Sequence, residues 1–366
     1  MKKVLILDSW SGYGGGQRVA YDIVSGLRAE YHFVYMAPSG PYLELYKQEE
    51  VTSREILSKS FCGKINEVRR AIKEIKPDII HAHGTRAAIW ARVVLMMMAQ
   101  KPKLVYTVHG FHLIRKSHIV RFISLCIERY LNRWVDILVC VSKHDCETIK
   151  NQKLINSRKI IIVQNGIDIS FWQKAIVSSN DFSFQSEGKF IVGVICRLHP
   201  PKDVASVLYA FAQLNSVYLK TSVLLIVGDG PLRSGLEQLA KELHIDKQTI
   251  FVGDQKDVRP FLQLCNVLVL STKWEGLPLV VLEAAACKKP VVISKYDGVE
   301  EVVLSEKTGL LFPFGSSKEL KKQLERLMGS PELVKSIGDN AQNFVKEQFP
   351  LTNMIDKYKK IYQGFD

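Results

Sequence analysis

The chain contains 366 residues, 47% of them hydrophobic and 24% charged, which is the composition of a folded globular protein. That length exceeds what one ordinary core supports, so two domains of similar size are expected. No apolar run reaches the roughly 18 residues of a membrane-spanning helix, and Asp8 ends the first apolar run too early for a secretory leader. The seven cysteines include no C-x-x-C pair, which predicts reduced thiols and a cytoplasmic protein.

The net charge of +13 lies almost entirely in the first half of the chain. Residues 1–170 hold 26 Lys and Arg against 15 Asp and Glu, or +11, whereas residues 171–366 hold 24 against 22, or +2. No aromatic-basic repeat or zinc-ligand pattern accompanies this charge, so no nucleic-acid partner is expected. The expected partner of the first half is an anionic membrane surface or an anionic, lipid-linked acceptor.

A glycine-rich loop follows the first predicted strand, at 4–7, and leads into a helix that ends near Leu27. Gly14, Gly15 and Gly16 would let the backbone approach a ligand closely while the helix start faces it. The loop is not a G-x-G-x-x-G fingerprint, and no Walker lysine follows, so neither a dinucleotide nor an ATP site is predicted. A simple tight turn is the alternative interpretation.

Further apolar runs, separated by helical patterns, predict strands at 32–36, 78–81, 104–108, 137–141 and 160–163. Alternating strands and helices predict a parallel sheet covered on both faces. Ligands of such sheets bind at the carboxyl ends of the strands, where His81, His83 and His109 would lie. Because no carboxylate-rich or H-E-x-x-H spacing accompanies these histidines, no metal site is predicted.

Residues 112–134 alternate basic and apolar side chains and predict a basic amphipathic helix. Two interpretations stay open: the helix lies at a lipid interface, or it packs its apolar side into the core, as surface helices normally do. The basic side chains are Arg115, Lys116, Arg121, Arg129 and Arg133.

A polar stretch without periodicity, residues 171–189, is interpreted as the interdomain linker. A second series of strands is predicted after it, at 190–195, 223–227, 250–252, 267–270 and 291–293. Arg197 and Lys202 follow the first of these strands and could neutralise a diphosphate, although ordinary solvated charges are the alternative. Asp203 could partly offset Lys202.

The segment W-E-G-L-P-L-V-V-L-E-A-A-A, residues 274–286, places Glu275 and Glu283 eight positions apart. Pro278 suits the first turn of a helix, so the loop is predicted to become a helix near Leu279. Backbone N–H groups at a helix start favour anions, and the two carboxylates could bind hydroxyls on either side. The alternative is structural, with Glu275 in solvent and Glu283 paired with a lysine that follows the helix.

Several of these segments resemble motifs of the retaining glycosyltransferases of family 4, which have the GT-B fold. The Glu275 to Glu283 pattern resembles the E-x7-E motif, residues 197–202 resemble G-R-L-x-x-x-K, and residues 228–231 resemble the G-x-G-P turn. The chain departs from the family at Cys196, which replaces a usual glycine, and after Lys202, where glycine is common. The other matches, in the family's order, are Gly14 to Gly16, His109-Gly110, Val141-Ser142 and Asn165 to Asp168.

The resemblance implies an α/β protein made of two facing Rossmann-like domains with parallel sheets and an interdomain cleft. The acceptor-side domain would be 1–170, the donor domain 171–350, and a last helix within 351–366 would cross back. The activity implied is a retaining, metal-independent transfer of a hexosyl or N-acetylhexosaminyl unit. The donor would be a nucleotide-sugar, taken as UDP-linked, and no cofactor is expected.

The resemblance also implies roles for individual residues. Glu283 would hold the ribose hydroxyls, and Glu275 would hold the sugar that His109 also contacts. The catalytic residues would be His109, Glu275, Arg197 and Lys202. The donor would be bound by Gly15, Gly16, Arg197, Lys202, Gly276, Leu277, Pro278, Leu279 and Glu283.

We expect the acceptor to be a polyprenyl-diphosphate-linked saccharide of a bacterial surface polysaccharide, used at the inner face of the cytoplasmic membrane. Two alternatives belong to other classes. A nucleotide-sugar 2-epimerase of the same fold would need carboxylate acid/base pairs, for which the first half offers no clear candidate. A non-catalytic, nucleotide-sugar-binding partner subunit would have lost motif residues that this chain keeps.

Overall fold

A computed structural model describes residues 1–111, 117–174 and 188–365. The chain forms two compact units, Met1–Asn165 with Thr352–Asp366, and Gly166–Leu351. The predicted boundaries lie at 170 and 350, so the second unit begins slightly earlier than the sequence pattern indicated. No helix in the described ranges is both long and apolar enough to cross a membrane.

The first unit alternates strands and helices along almost its whole length. Its elements are β1 (Lys3–Asp8), α1 (Gly15–Leu27), β2 (His32–Ala37), α2 (Pro41–Gln48), β3 (Thr52–Glu55), α3 (Phe61–Ile75), β4 (Ile79–His83), α4 (Gly84–Met96), β5 (Lys103–Val108), α5 (His118–Leu131), β6 (Ile137–Cys140), α6 (Lys143–Asn151) and β7 (Ile160–Ile162).

The second unit repeats this plan. Its elements are α7 (Ile169–Gln173), β8 (Phe190–Ile195), α8 (Val204–Ala212), α9 (Ser216–Lys220), β9 (Ser222–Val227), α10 (Arg233–Glu242), β10 (Thr249–Gly253), α11 (Arg259–Leu264), β11 (Val267–Leu270), α12 (Leu279–Ala286), β12 (Val291–Ser294), β13 (Leu310–Phe312), α13 (Ser317–Met328) and α14 (Pro331–Gln348). The last helix, α15 (Leu351–Gln363), lies almost entirely in the first unit.

Both sheets are parallel and have the same winding. The strand order is β3-β2-β1-β4-β5-β6-β7 in the first unit and β10-β9-β8-β11-β12-β13 in the second. In each sheet the first strand lies in the interior, because the chain winds to one side of it and then returns to the other. The switch points between β1 and β4 and between β8 and β11 are where such folds bind ligands.

Most of the strands that the sequence predicted are buried, although β7 and much of β10 are only partly so. Val4, Leu5 and Ile6 of β1 are fully buried, as expected of a parallel strand covered on both faces. The sequence missed β3 because its residues, T-S-R-E, are polar and only partly covered at the sheet edge. It also missed β13, which is only three residues long.

The predicted linker is partly helical. Residues 171–173 belong to α7, whose start is capped by the Asp168 carboxylate accepting a hydrogen bond from the Phe171 N–H at 3.2 Å. Trp172 is buried, and its carbonyl accepts a hydrogen bond from Gln263 Nε2 at 3.2 Å. The linker prediction is therefore wrong for this helix, and residues 175–187 lie outside the described residues.

Candidate active site

In the second unit, Lys202 and Glu275 meet at the switch point of the sheet. β8 and β11 are neighbours, and the loops that follow them carry these two side chains. The Lys202 Nζ ammonium forms an ion pair with Glu275 Oε1. The loop backbones are also joined, by a bridge between Lys202 and Thr272 and by the Asp203 N–H donating to the Ser271 carbonyl at 3.0 Å.

Thr272 and Ser294 hold Glu275 in place. The Thr272 hydroxyl donates to Glu275 Oε1 at 3.0 Å. The Ser294 hydroxyl accepts from the Thr272 N–H at 2.8 Å and donates to the Thr272 carbonyl at 2.7 Å. Both residues are fully buried. Sequence reasoning missed them, and the available signal was a hydroxyl residue at the carboxyl end of an apolar strand.

The turn at residues 228–231 packs backbone against backbone on the loop after β8. Gly228 has a φ of +126°, and a Cβ there would lie 2.0 Å from the Cys196 carbonyl oxygen. At Gly230 a Cβ would lie 2.4 Å from the Leu198 carbonyl oxygen. A side chain at either glycine would therefore displace the loop that carries the two predicted cations.

The predicted loop-to-helix transition is confirmed, because α12 begins at Leu279 directly after Pro278. Leu277 and Leu279 are buried. No side chain caps the helix start, and its first N–H groups have no partner within the helix. Gly276 is partly exposed on the preceding loop.

Glu283 lies one turn into α12 and is partly exposed. The two lysines that follow the helix have other partners. Lys288 forms an ion pair with Asp339 at 2.8 Å, and Lys289 Nζ donates to the Gln263 carbonyl at 2.8 Å. Glu275 is not the solvent-exposed loop residue of the alternative interpretation, since its side chain is only 20% exposed and is paired with Lys202.

Arg197 is exposed on the loop after β8. Burial raises the pKa of the adjacent Cys196 thiol to about 11, and the charges of Lys202, Glu275 and Arg197 all act on that thiol. Asp203 instead caps α8, accepting from the Ser206 N–H at 3.2 Å. The carboxylate paired with Lys202 is therefore Glu275 and not Asp203.

At the switch point of the first unit, Asp8 and His83 lie opposite each other at the ends of β1 and β4. Asp8 is buried and accepts a hydrogen bond from Gln17 Nε2 at 3.0 Å. Burial raises the pKa of the Asp8 carboxyl to about 7, and the hydrogen bonds from Gln17 and Tyr35 oppose that rise. Sequence reasoning missed Asp8 as a candidate, although a carboxylate at a strand's carboxyl end was the available signal.

The glycine loop and His109 come together in the first unit. α1 begins at the exposed Gly15, and Gly16 packs against the His109 ring. A Cβ on Gly16 would lie 3.1 Å from His109 Cδ2, which is tighter than ordinary van der Waals contact. The close approach observed at Gly16 is therefore made to a histidine of the same unit.

The three histidines form a stack of rings. His83 Nδ1 and His109 Nε2 are 3.0 Å apart, with ring centroids 5.3 Å apart and planes inclined by 18°. His81 lies against His83, with ring centroids 4.2 Å apart. Burial lowers the pKa of His81 to about 3 and that of His109 to about 4, and it lowers the pKa of His83 well below its usual value. All three rings are therefore neutral near pH 7.

Among the described residues, no group of three or more His, Cys, Asp or Glu side chains is arranged to hold a metal ion.

Most apolar side chains of helix α5 point away from the first unit. Ile119 and Phe122 are 75% and 70% exposed, whereas the buried residues of the helix are Glu128 and Leu131. Leu125 packs against the core and Leu131 is buried, so the interpretation that the apolar side packs into the core holds for these two residues only. Arg115 and Lys116 of the predicted helix lie outside the described residues. The other exposed apolar side chains of α5 are Val120, Ile123, Ile127 and Tyr130.

Arg92 on α4 explains this orientation. Its fully buried guanidinium donates from Nη1 to Glu128 Oε2 at 2.7 Å and to Asn132 Oδ1 at 2.6 Å, and from Nη2 to Glu128 Oε1 at 3.1 Å. Removing one partner of a buried ion pair costs about 3–5 kcal/mol. The side of α5 that carries Glu128 is therefore fixed inward, and most of its apolar side chains face outward.

Two family models match the chain. Residues 13–171 match the model described as Glycosyltransferase Family 4, and residues 178–344 match Glycosyl transferases group 1. The chain belongs to the family 4 glycosyltransferases. The resemblance stated from the sequence motifs is confirmed, and so is the fold class, because solved GT-B structures superpose on this glycosyltransferase along its length.

Two curated relatives and one solved structure illustrate the likeness. The glycosyltransferase is 27% identical over 304 residues to the UDP-Gal:alpha-D-GlcNAc-diphosphoundecaprenol alpha-1,3-galactosyltransferase of Escherichia coli, covering 80% of this chain and 77% of that protein. It is 29% identical over 294 residues to the N-acetyl-alpha-D-glucosaminyl L-malate synthase of Bacillus anthracis, covering 78% and 74%. HepE of Anabaena in complex with UDP-glucose has a TM-score of 0.86 at 21% identity, with all of both chains covered.

Proposed function

We propose that this glycosyltransferase moves a hexosyl or N-acetylhexosaminyl unit from a UDP-sugar to a polyprenyl-diphosphate-linked saccharide of a bacterial surface polysaccharide. The transfer retains the anomeric configuration and needs no metal. The observation that carries the donor half is the Lys202–Glu275 pair, which puts a cation and a carboxylate beside the start of α12 at one switch point. The UDP-Gal in the name of the E. coli relative and the UDP-glucose bound to HepE support the choice of nucleotide.

The charges of the second unit fit a diphosphate leaving group. As the bond between sugar and phosphate breaks, negative charge grows on the diphosphate, and preorganised cations stabilise it. Arg197, Lys202 and the N–H groups at the start of α12 supply that stabilisation in place of a divalent ion. Glu283, one turn inside the helix, holds the ribose hydroxyls.

Glu275 has two different tasks in this proposal. Its Oε1 atom already holds the Lys202 ammonium and accepts from the Thr272 hydroxyl. A hydroxyl of the transferred sugar therefore binds the other oxygen, Oε2, with the backbone of Gly276 and Leu277 beside it. His109 contacts the same sugar. The leaving phosphate accepts the proton of the acceptor hydroxyl while the new bond forms on the same face of the sugar.

The acceptor half of the proposal rests on α5. The two curated relatives name different acceptors, a diphosphoundecaprenol-linked sugar in one and L-malate in the other, so family membership leaves the acceptor open. An exposed apolar helix face within residues 1–170, which carry a charge of +11, fits an anionic lipid surface, where apolar side chains insert and basic ones pair with headgroups. Arg121, Arg129 and Arg133 lie on or directly after this helix.

A peripheral position on the inner face of the cytoplasmic membrane follows from this proposal. Basic segments contribute about 1 kcal/mol per residue near an anionic surface, so several arginines together with the apolar face would hold the enzyme beside a lipid-linked acceptor.

Incubating the purified protein with a panel of UDP-, GDP- and ADP-sugars tests the donor half. Slow hydrolysis of one UDP-sugar, faster than that of the others, is the expected result. Adding a polyprenyl-diphosphate saccharide in vesicles should convert hydrolysis into transfer, with the anomeric configuration retained by NMR. L-Malate should not act as acceptor. An inverted product contradicts retention, and a donor returned as its 2-epimer without transfer identifies the epimerase instead.

A further inference from the structure

His83 and His109 follow neighbouring parallel strands and are joined at their rings. β4 pairs with β5, so that His83 at the end of β4 lies opposite Thr107, two residues before His109. The only atoms that can form the hydrogen bond are His83 Nδ1 and His109 Nε2, which are 3.0 Å apart. Between two neutral imidazoles, one of these atoms carries the proton and the other accepts it.

The other nitrogen of His83 decides which ring donates. His83 Nε2 is buried, and no described residue hydrogen-bonds to it. If His109 donated from Nε2, His83 would have to carry its own proton on Nε2, as a buried N–H without an acceptor. If His83 donates from Nδ1, Nε2 holds only an unused lone pair. A buried N–H group without an acceptor is rarer and costs more free energy than a buried lone pair without a donor. The second arrangement, in which His83 donates, is therefore favoured.

His81 does not change this argument, because both of its nitrogens are already engaged. His81 Nδ1 is 2.6 Å from the Tyr362 hydroxyl of α15, and His81 Nε2 is 2.7 Å from the Thr107 hydroxyl. Its ring packs against that of His83, with the two planes inclined by 36°. Thr107 also lies 3.3 Å from the Tyr358 hydroxyl, so α15 and β5 together hold the stack.

We infer that His83 is a positioning residue for His109, donating from Nδ1 to His109 Nε2 and so fixing the proton of His109 on Nδ1. The ring of His109 is then held between His83 and Gly16, with a neutral Nδ1–H donor on the side away from His83. The inference rests on the proposed contact of His109 with the transferred sugar. It adds that His109 donates a hydrogen bond to a sugar oxygen, rather than accepting one or acting as a cation.

The tautomer can be measured directly by ¹⁵N NMR of the full chain labelled at histidine. The His109 signals are assigned by their loss in His109→Gln. The expected result at pH 7.5 is a protonated, pyrrole-like Nδ1 and an unprotonated, pyridine-like Nε2 for His109. If His109 of the parent protein carried its proton on Nε2, or were an imidazolium, the inference would be wrong regardless of how the variants behave.

Two substitutions of His83 test the consequence for transfer. An asparagine amide nitrogen reaches close to the position of a histidine Nδ1, so His83→Asn can keep the donor, whereas His83→Leu removes it. His83→Leu should lower kcat about tenfold and give a mixed His109 tautomer, and His83→Asn should stay within about threefold of the parent. Equal kcat losses in the two variants at equal thermal stability would contradict the positioning role. A parental rate in His109→Ala would sink the proposed sugar contact instead, while the NMR result would stand.

Discussion

Lys202 and Glu275 form an ion pair that joins the loops after the two central strands of the second unit, with side chains 15% and 20% exposed. Salt screens such a partly buried pair less than it screens a pair on the surface. A diphosphate that binds Lys202 must therefore share this cation with Glu275. The carboxylate orients the lysine and at the same time offsets its charge.

Substitutions should separate these effects. Glu275→Gln keeps the shape but removes the charge that competes for Lys202, so UDP binding should be unchanged or tighter while transfer slows about tenfold or more. Arg197→Ala and Glu283→Ala should each weaken UDP-sugar binding about tenfold or more, since a charge-assisted contact contributes roughly 1.5–3 kcal/mol. Calorimetric titration with UDP and single-turnover transfer give the two quantities. Weaker UDP binding in Glu275→Gln would contradict the division of roles.

A chelator should leave the rate almost unchanged. In the proposed site, Arg197, Lys202 and the start of α12 supply the positive charge for the leaving diphosphate. Transfer is measured with and without EDTA, after dialysis against a chelating resin. Loss of activity that Mg²⁺ or Mn²⁺ restores would show a metal-dependent site instead.

Vesicle flotation tests the role of α5. The protein should float with anionic liposomes, remain behind with neutral ones, and lose most binding at high salt. The double variant Ile119→Ser/Phe122→Ser should lose flotation without loss of thermal stability, because both side chains are exposed. Arg121→Glu should weaken binding to anionic vesicles.

The matched control for that experiment is Val217→Ser. Val217 is 64% exposed on α9 of the second unit, so the substitution also replaces an exposed apolar side chain by serine, at a distance from α5 in the sequence. The control should float like the parent. Equal losses in the control and in the α5 variant would mean that general apolar exposure drives the binding, and not α5.

Asp8 should make the protein less stable as pH rises, whereas a carboxylate with a lowered pKa makes a protein more stable as pH rises. The pKa of Asp8 is about 7 in the folded state and near 3.8 when unfolded, so between these values the folded state binds more protons. The free energy of unfolding then falls as pH rises from about 4 to 7, by roughly a few kcal/mol, since one pKa unit is about 1.4 kcal/mol. Asp8→Asn should abolish this loss.

The buried histidines, in contrast, should make the protein less stable as pH falls. His81 and His109 have folded pKa values of about 3 and 4, below their unfolded values, so the unfolded state binds more protons and stability falls as pH drops below 6.5. Urea unfolding of the parent and of Asp8→Asn across pH 4–8 separates the two contributions. A difference between the two proteins that does not change with pH would contradict the assignment of Asp8.

Gly228→Ala should destabilise the second unit by more than about 1 kcal/mol, because its positive φ and the nearby Cys196 carbonyl leave no room for a Cβ. Gly235→Ala is the matched control. Gly235 lies exposed in α10 with nothing within 4 Å of its Cβ position, so alanine should be neutral or stabilising. Thermal unfolding of both variants checks the prediction, and equal destabilisation would contradict it.

The sequence alone determined the alternation of strands and helices. Parallel strands buried on both faces are continuous apolar runs, which can be recognised without knowing which strands lie beside them. It also determined the loop and helix at Pro278, since proline restricts the backbone locally. The polar edge strand β3 left no such run and was missed. The short helix α7 was taken for linker, because its five residues are too few to show a helical period.

Only the tertiary structure decided which charged residues meet. Lys202 and Glu275 are 73 positions apart, and nothing in either loop says that their side chains touch. The pairing of His83 with His109 likewise depends on β4 and β5 being neighbours in the sheet. An amphipathic pattern shows that a helix has two sides but not which side faces the core. For α5 the choice was made by Arg92, 36 residues away from Glu128, because a buried guanidinium must be paired and its partner lies on the polar side.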